Sequence, residues 1–246
     1  TTEVINNYTN LWQQFGTSVL VSDQLILTTW DGAKDSADVH ITPAQLTDSS
    51  GAVVVDDFAM SVSQGGQKEV LFHDGILYVA SSTGGDVFLS RYDESASFDF
   101  ISVDKINGAS DYLQSEPDVT LLANSKILYT YQSNTDPTYK DTSGAYSVKG
   151  DSDIRYVLYD MDKNSWTGDF LIKQTSGAGL KEPQATTLSD GNFIITWTQT
   201  SYEPGTVAKH YAQAFSELGE AISDPLELAS YVLGDISSNY PGGYSD

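Results

Sequence analysis

A strand–turn–strand motif recurs four times along the chain, and this recurrence restricts the fold more than any other feature. Val19 to Trp30, Val70 to Ala80, Val119 to Tyr131 and Ala185 to Trp197 each read as a strand, a two- or three-residue turn and a second strand. The turns are Asp-Gly-like, the strongest short signal for a β-hairpin. The turn residues sit at 23, 74, 124 and 190, so the spacings are 51, 50 and 66. A second landmark follows each hairpin. Asp86 to Asp93 matches Asp153 to Asp160, Lys209 to Ser216 fits the same frame, and Asp38 to Ile41 opens the first unit's version. This is a third strand. Ala52 to Ala59, Phe98 to Val103, Phe170 to Gln174 and Ala221 to Leu228 read as a fourth.

Four strands per period near 50 residues describe a propeller blade. The chain is therefore expected to be all-β, a single β-propeller domain or part of one, with blades over roughly 15–62, 67–110, 116–176 and 182–234. Only Glu3 to Trp12 and Leu226 to Leu233 offer plausible short helices, and neither is well capped. Glu116-Pro117 and Glu182-Pro183 each lie eight residues before their turn residue. Tyr240-Pro241 looks like the same opening of a fifth unit. Either the tail folds back to close the ring, or the chain belongs to a larger propeller with further domains.

The fourth unit reads Glu-Pro-Gln-Ala-Thr-Thr-Leu-Ser-Asp-Gly-Asn-Phe-Ile-Ile-Thr-Trp from Glu182, then a variable loop, then Tyr-Ala-Gln-Ala-Phe-Ser-Glu-Leu-Gly from Tyr211. It resembles the propeller-type repeats of large secreted bacterial proteins, including RTX-type adhesins and calcium-dependent exoproteins. Their loose pattern is a Pro-led strand, Asp-Gly, an apolar strand ending in Trp, and an aromatic turn near Gly. The third unit matches moderately and the first two in outline. The resemblance implies a secreted or cell-surface setting and says little about a ligand.

Composition narrows the function classes. Thirty-four acidic residues against 12 basic ones give a net charge of −22. Such a chain repels phosphate backbones and anionic lipid, so nucleic-acid binding is not expected. Cysteine is absent, which excludes disulfides, zinc–thiolate sites and a cysteine nucleophile. No apolar run approaches the roughly 20 residues of a membrane helix, so no membrane insertion is expected. The N-terminus shows no signal-peptide pattern, so a leader is expected to be missing or already removed.

Function usually sits on long loops above a rigid scaffold. The first-to-second turns are minimal, so a site is expected on the face that carries the second-to-third loops. The longest of these, Gln132 to Ser152, holds Asp136, Asp141 and Asp151 and leads into Asp153. Clustered oxygen ligands suit Ca²⁺, a hard cation taking six to eight oxygens. The other reading is a solvated acidic loop. Asp160 to Asn164 alternates oxygen ligands like half an EF-hand, but Ser165 replaces the required Gly, and a plain turn is the better reading. Asp38, Asp86 and Asp153 each open a third strand, either as a carboxylate ring or as caps of local N–H groups; capping is favoured. Trp30, Tyr131 and Trp197 end second strands, where they either pack between blades or form a sugar-stacking platform. Tyr139, Tyr146 and Tyr202 lie in the loops, where no repeat requires them, and are ligand-contact candidates.

Catalytic motifs are few. His40, His73 and His210 read as structural, and neither a Gly-x-Ser-x-Gly elbow nor a His-Glu-x-x-His motif occurs. The leading expectation is a surface recognition or adhesion module for a glycan or a cell-surface protein, with its loop ordered by calcium. One alternative is a polysaccharide-acting enzyme with paired carboxylates at the channel mouth. Another is a structural spacer or assembly domain.

Overall fold

The structure is a computed structural model that describes residues 13–33, 40–60, 68–83, 85–94, 98–107, 114–123, 125–134, 152–172, 179–200 and 207–232. These residues form four sheets, each of four antiparallel strands in simple meander order. Blade 1 holds β1 (Gln13–Ser22), β2 (Leu25–Ala33), β3 (His40–Asp48) and β4 (Val53–Met60). Blade 2 holds β5 (Lys68–His73), β6 (Ile76–Thr83), β7 (Asp86–Asp93) and β8 (Asp99–Lys105). Blade 3 holds β9 (Gln114–Leu122), β10 (Lys126–Asn134), β11 (Ser152–Asp160) and β12 (Ser165–Ile172). Blade 4 holds β13 (Gly179–Thr187), β14 (Phe193–Thr200), β15 (Val207–Phe215) and β16 (Leu226–Val232). The chain is a β-propeller of four-stranded blades.

Turn chemistry sets the blades' inner edges. Asp74 and Gly75 both take positive φ, 48° and 77°, so His73 pairs directly with Ile76 across a two-residue turn. In blade 4 the turn is longer. Leu188 donates its N–H to the Asn192 carbonyl at 2.8 Å, and the Asp190 carboxylate takes the Asn192 N–H at 3.0 Å.

Two fourth strands run in a different frame from the sequence expectation. β12 starts at Ser165 rather than near Phe170, because Asp160 and Asn164 close a tight turn there, with Asn164 at φ 48°. Early resumption sets Trp166 against Tyr159, with ring centroids 4.8 Å apart. β16 starts at Leu226 rather than Ala221, because residues 216–225 form a loop. The Ser216 hydroxyl accepts the N–H groups of Leu218 and Glu220 inside it. Leu226 to Val232 is thus strand and not helix. Residues 3–12, the other helical expectation, lie outside the described residues.

Blades pack face to face in chain order. One buried cluster joins blades 1 and 2 through Val21, Leu27 and Leu46 against Leu77, Val79 and Tyr92. A second joins blades 2 and 3 through Ala80, Val87 and Leu89 against Val119, Ile127 and Tyr129. A third joins blades 3 and 4 through Leu128, Ile154 and Tyr156 against Phe193, Ile195 and Phe215. Among the described residues no buried cluster joins blade 4 to blade 1. The strand patterns follow from this order. β10 and β11 have a blade on either side and are buried almost throughout. β14, with a packed blade on one side, shows more alternation between buried and half-buried residues. Strand β8, at the outer rim, is mostly exposed.

Candidate active site

The four inner strands β1, β5, β9 and β13 lie alongside one another in that order. Their starts lie on the side of the molecule that carries the second-to-third loops and the blade-to-blade connections. Four acids occupy the starting half of three of these strands: Glu69 on β5, Glu116 and Asp118 on β9, and Glu182 on β13.

Local backbone strain aims two of them. Glu116 and Glu182 take φ of 52° and 54°, and each precedes a buried proline, Pro117 and Pro183. The strand register jumps at both places. Non-glycine residues in this region cost on the order of 1 kcal/mol and persist only where their surroundings hold them. Here the Glu116 carboxylate accepts the Glu182 N–H at 2.5 Å. Two residues along, the Asp118 carboxylate accepts the Ala185 N–H at 2.9 Å and the Thr120 hydroxyl at 3.4 Å. The Thr120 hydroxyl also lies 3.2 Å from the Ala185 carbonyl. Glu69 takes the Thr17 hydroxyl at 3.5 Å, bridging blades 1 and 2. Glu182 accepts the hydroxyl of Thr198 at 3.0 Å, and that oxygen lies 3.1 Å from His210 Nδ1.

Three of the four acids hold their protons unusually tightly. Loss of water around Glu69 raises its pKa, and the charge of Asp118 raises it further. Desolvation raises Asp118 against the pull of its hydrogen bonds to Ala185 and Thr120. Desolvation also raises Glu116, with Glu182 adding to it and Lys181 opposing. Glu69 itself is exposed, so its carboxyl combines partial desolvation with access from outside. Glu69 and Asp118 thus form a coupled carboxyl pair on adjacent inner strands. One is open, and the other is fixed by two donors. Such a pair can deliver a proton and stabilise positive charge beside it.

The aromatic expectation is corrected by burial. Trp30, Tyr131 and Trp197 retain 5%, 1% and 5% of their surface, so their rings fill the blades and offer no face to a sugar. Trp197 stacks on Tyr211 with centroids 5.9 Å apart, and the Tyr131 hydroxyl donates to Asp169 at 3.3 Å. The buried Trp30 indole N–H has no hydrogen-bond partner. Tyr139, Tyr146 and Tyr202 lie outside the described residues, as do Asp136, Asp141 and Asp151. Asp153 is buried on β11, its residue paired with Ser133 of β10. Among the described residues no group of three or more His, Asp or Glu is placed to hold a metal ion. Asp86 has a structural task. It accepts the Asn107 side-chain amide at 2.8 Å, and Asn107 Oδ1 in turn takes the Val87 N–H at 3.0 Å. Asp160 likewise takes the Lys163 N–H at 3.0 Å within its turn.

Glu69 and Asp118 carry no sequence signal, being two acids among 34. Glu116 and Glu182 did carry one, the repeated Glu-Pro pair, which sequence reading takes for a blade boundary.

No protein-family model matches the chain, and no curated protein matches it in sequence. Solved structures do match in fold. An α-L-arabinanase of Penicillium chrysogenum, complexed with arabinobiose, aligns with 88% of this chain and 67% of its own, at 15% identity and a TM-score of 0.60. An α-L-arabinofuranosidase of Fusarium graminearum, in complex with an iminosugar inhibitor, aligns with 94% of this chain and 72% of its own, at 12% identity and a TM-score of 0.61. A polysaccharide lyase acting on ulvan aligns with 86% of this chain and 56% of its own, at 10% identity and a TM-score of 0.61. The chain therefore shares its β-propeller fold with carbohydrate-active enzymes and spans between about half and three quarters of their length.

Proposed function

We propose that the protein acts on a neutral oligo- or polysaccharide at the open end of its inner strands. Glu69 serves as the proton donor and Asp118 as the fixed carboxylate. The observation that carries this reading is the pair itself: two interacting carboxyls on adjacent inner strands, both with pKa raised by desolvation. The fold-mates named for arabinanase, arabinofuranosidase and ulvan lyase activity support the substrate class. Net charge selects within it. At −22 the chain disfavours a sulfated or uronic polymer and tolerates a neutral one.

In the reaction the protonated Glu69 carboxyl gives its proton to the glycosidic oxygen as the bond to the anomeric carbon breaks. The Asp118 carboxylate faces the positive charge that develops on the sugar ring. Water then adds its hydroxyl to the anomeric carbon, and its proton returns to the carboxylate pair. The spacing of the two carboxyls during this step sets retention or inversion, which proton NMR of the fresh product reads directly.

The test is release of reducing ends from neutral arabino-oligosaccharides and xyloglucan, with ulvan as the charged control. Turnover of a neutral substrate is expected. Turnover of ulvan alone would contradict the reading.

A further inference from the structure

The Glu182 carboxylate has contacts that the proposed reaction does not use. It accepts the hydroxyl of Thr198 at 3.0 Å, and that oxygen lies 3.1 Å from His210 Nδ1. The His210 ring in turn lies against Tyr231, with centroids 5.5 Å apart and a tilt of 31°. The four residues belong to β13, β14, β15 and β16, and each lies in the half of its strand nearest the loop-bearing end. One row of side chains thus crosses blade 4 from its inner strand to its rim.

Counting protons fixes the chemistry of the row. The Thr198 hydroxyl has one proton and gives it to Glu182. His210 Nδ1 must then carry its own proton and donate to the Thr198 oxygen. In the neutral ring Nε2 is left as a bare acceptor. A row with an acceptor at both ends suits a ligand rich in donors. Glu182 is exposed and Tyr231 keeps 46% of its surface, so the row is reachable from solvent. The preceding blade differs at this place. Thr198 pairs with His210 where Gln132 pairs with Ile154 one repeat earlier, and Ile154 is fully buried against blade 4. An apolar packing residue of blade 3 is replaced in blade 4 by a half-buried imidazole. The same face of blade 4 turns apolar only toward the other end of its strands, at Ile194 and Ala214.

We propose that Glu182, His210 and Tyr231 form a remote sugar subsite, which holds the far part of a neutral oligosaccharide whose scissile bond lies at Glu69 and Asp118; this rests on the glycan-cleaving reading above. Sugar hydroxyls donate to the Glu182 carboxylate and to His210 Nε2, and the Tyr231 ring takes the apolar face of a sugar ring. Neighbouring strands stand about 4.8 Å apart, so β15 and β16 lie roughly 10 and 14 Å outward of β13. A short substrate held at the carboxyl pair does not span that distance, and a longer chain does. The subsite therefore makes the protein prefer longer chains.

Side-chain NMR on the full chain carrying Glu69→Gln tests this, with arabinotetraose and arabinobiose as probes. Arabinotetraose should shift the ring signals of His210 and Tyr231, and it should bind at least about fivefold more tightly than arabinobiose. His210→Ala and Tyr231→Ala should each remove most of that preference, and Tyr231→Phe, which keeps the ring, should retain it. The signals of Trp197, stacked on Tyr211 on the opposite face of blade 4, report that each variant is folded. Tetraose binding that leaves both rings unmoved, or a length preference that survives both alanine variants, would overturn the subsite while leaving the reaction at Glu69 and Asp118 standing. Failure to bind arabinotetraose would also overturn it. Ring shifts beside a parent chain without turnover would support the subsite and contradict the reaction.

Discussion

The Glu116 carboxylate accepts the backbone N–H of Glu182, and the two residues hold the same place in consecutive repeats. A bulge in one blade is thus capped by the bulge of the blade before it. Glu116→Ala leaves that N–H without its charged acceptor and should cost about 1–2 kcal/mol in urea unfolding. Glu116→Gln keeps an acceptor, and it removes a desolvated charge that faces Glu182. It should fall within about 0.5 kcal/mol of the parent. Equal losses in the two variants would mean that the charge, and not the cap, matters.

Acid should stabilise the fold across the carboxyl range. The pKa values of Glu69, Glu116 and Asp118 are raised in the folded state. Between the unfolded and folded values the native state binds more protons, so stability falls as pH rises through that window. Self-repulsion at −22 acts in the same direction. Asp48, Asp86, Asp160 and Glu227 run against it: hydrogen bonds from Ser50, Asn107, Lys163 and Lys209 lower their pKa values, and their contribution is lost as pH falls through the folded values. The lowered groups act below the ordinary carboxylate range and the raised ones above it, so the midpoint of thermal unfolding should be higher at pH 5 than at pH 8. A midpoint that rises steadily from pH 5 to pH 8 would contradict the raised values.

Tyrosine ionisation offers an independent check on the core. Desolvation pushes Tyr92 and Tyr156 up to about 12. Tyr129 is held well above the usual phenol range by burial, its hydroxyl set 3.1 Å from the Phe88 carbonyl and 3.3 Å from that of Ser81. These phenols should stay neutral in a spectrophotometric titration until the chain unfolds. Because the native state keeps its protons while the unfolded one loses them, stability should drop as pH rises above 10.

Gly168 is a steric test of the blade 3–4 interface. It sits at φ 78°, and a Cβ there would lie 2.0 Å from Cε2 of Phe170. Phe170 is stacked on Tyr156 at 4.9 Å, and its Cε2 would lie 3.1 Å from a Cβ at Gly219. Moving the ring aside would disturb its stacking on Tyr156. Gly168→Ala should therefore cost about 2–3 kcal/mol in equilibrium unfolding. By comparison, Tyr156→Phe, which removes only the hydrogen bond to the Gly219 carbonyl at 2.8 Å, should cost about 1 kcal/mol.

Legibility in the sequence divides by the kind of signal. The third strand Asp86 to Asp93 was readable to the residue, because local composition and the repeat frame agree there. The fourth strands of blades 3 and 4 slipped, because the length of the preceding turn decides where pairing resumes, and Asn164 and Ser216 set that length through backbone geometry. Trp30, Tyr131 and Trp197 were visible as strand-end aromatics, but whether a ring faces solvent depends on the neighbouring blade. Glu69 and Asp118 were invisible for the same reason. They sit on adjacent inner strands about 50 residues apart in the chain, and desolvation in the folded propeller raises both pKa values.

The central claim is that Glu69 delivers a proton to a neutral glycan beside Asp118. The most direct measurement compares reducing-end release by the parent chain, Glu69→Gln and Asp118→Asn on one neutral oligosaccharide across pH 4 to 9. The account predicts a parent activity that declines on the alkaline side as Glu69 loses its proton. It predicts a loss of kcat of at least about 100-fold in Glu69→Gln with KM little changed, and a comparable loss in Asp118→Asn. A parent without turnover, or a Glu69→Gln variant that keeps both its rate and its pH profile, would contradict it.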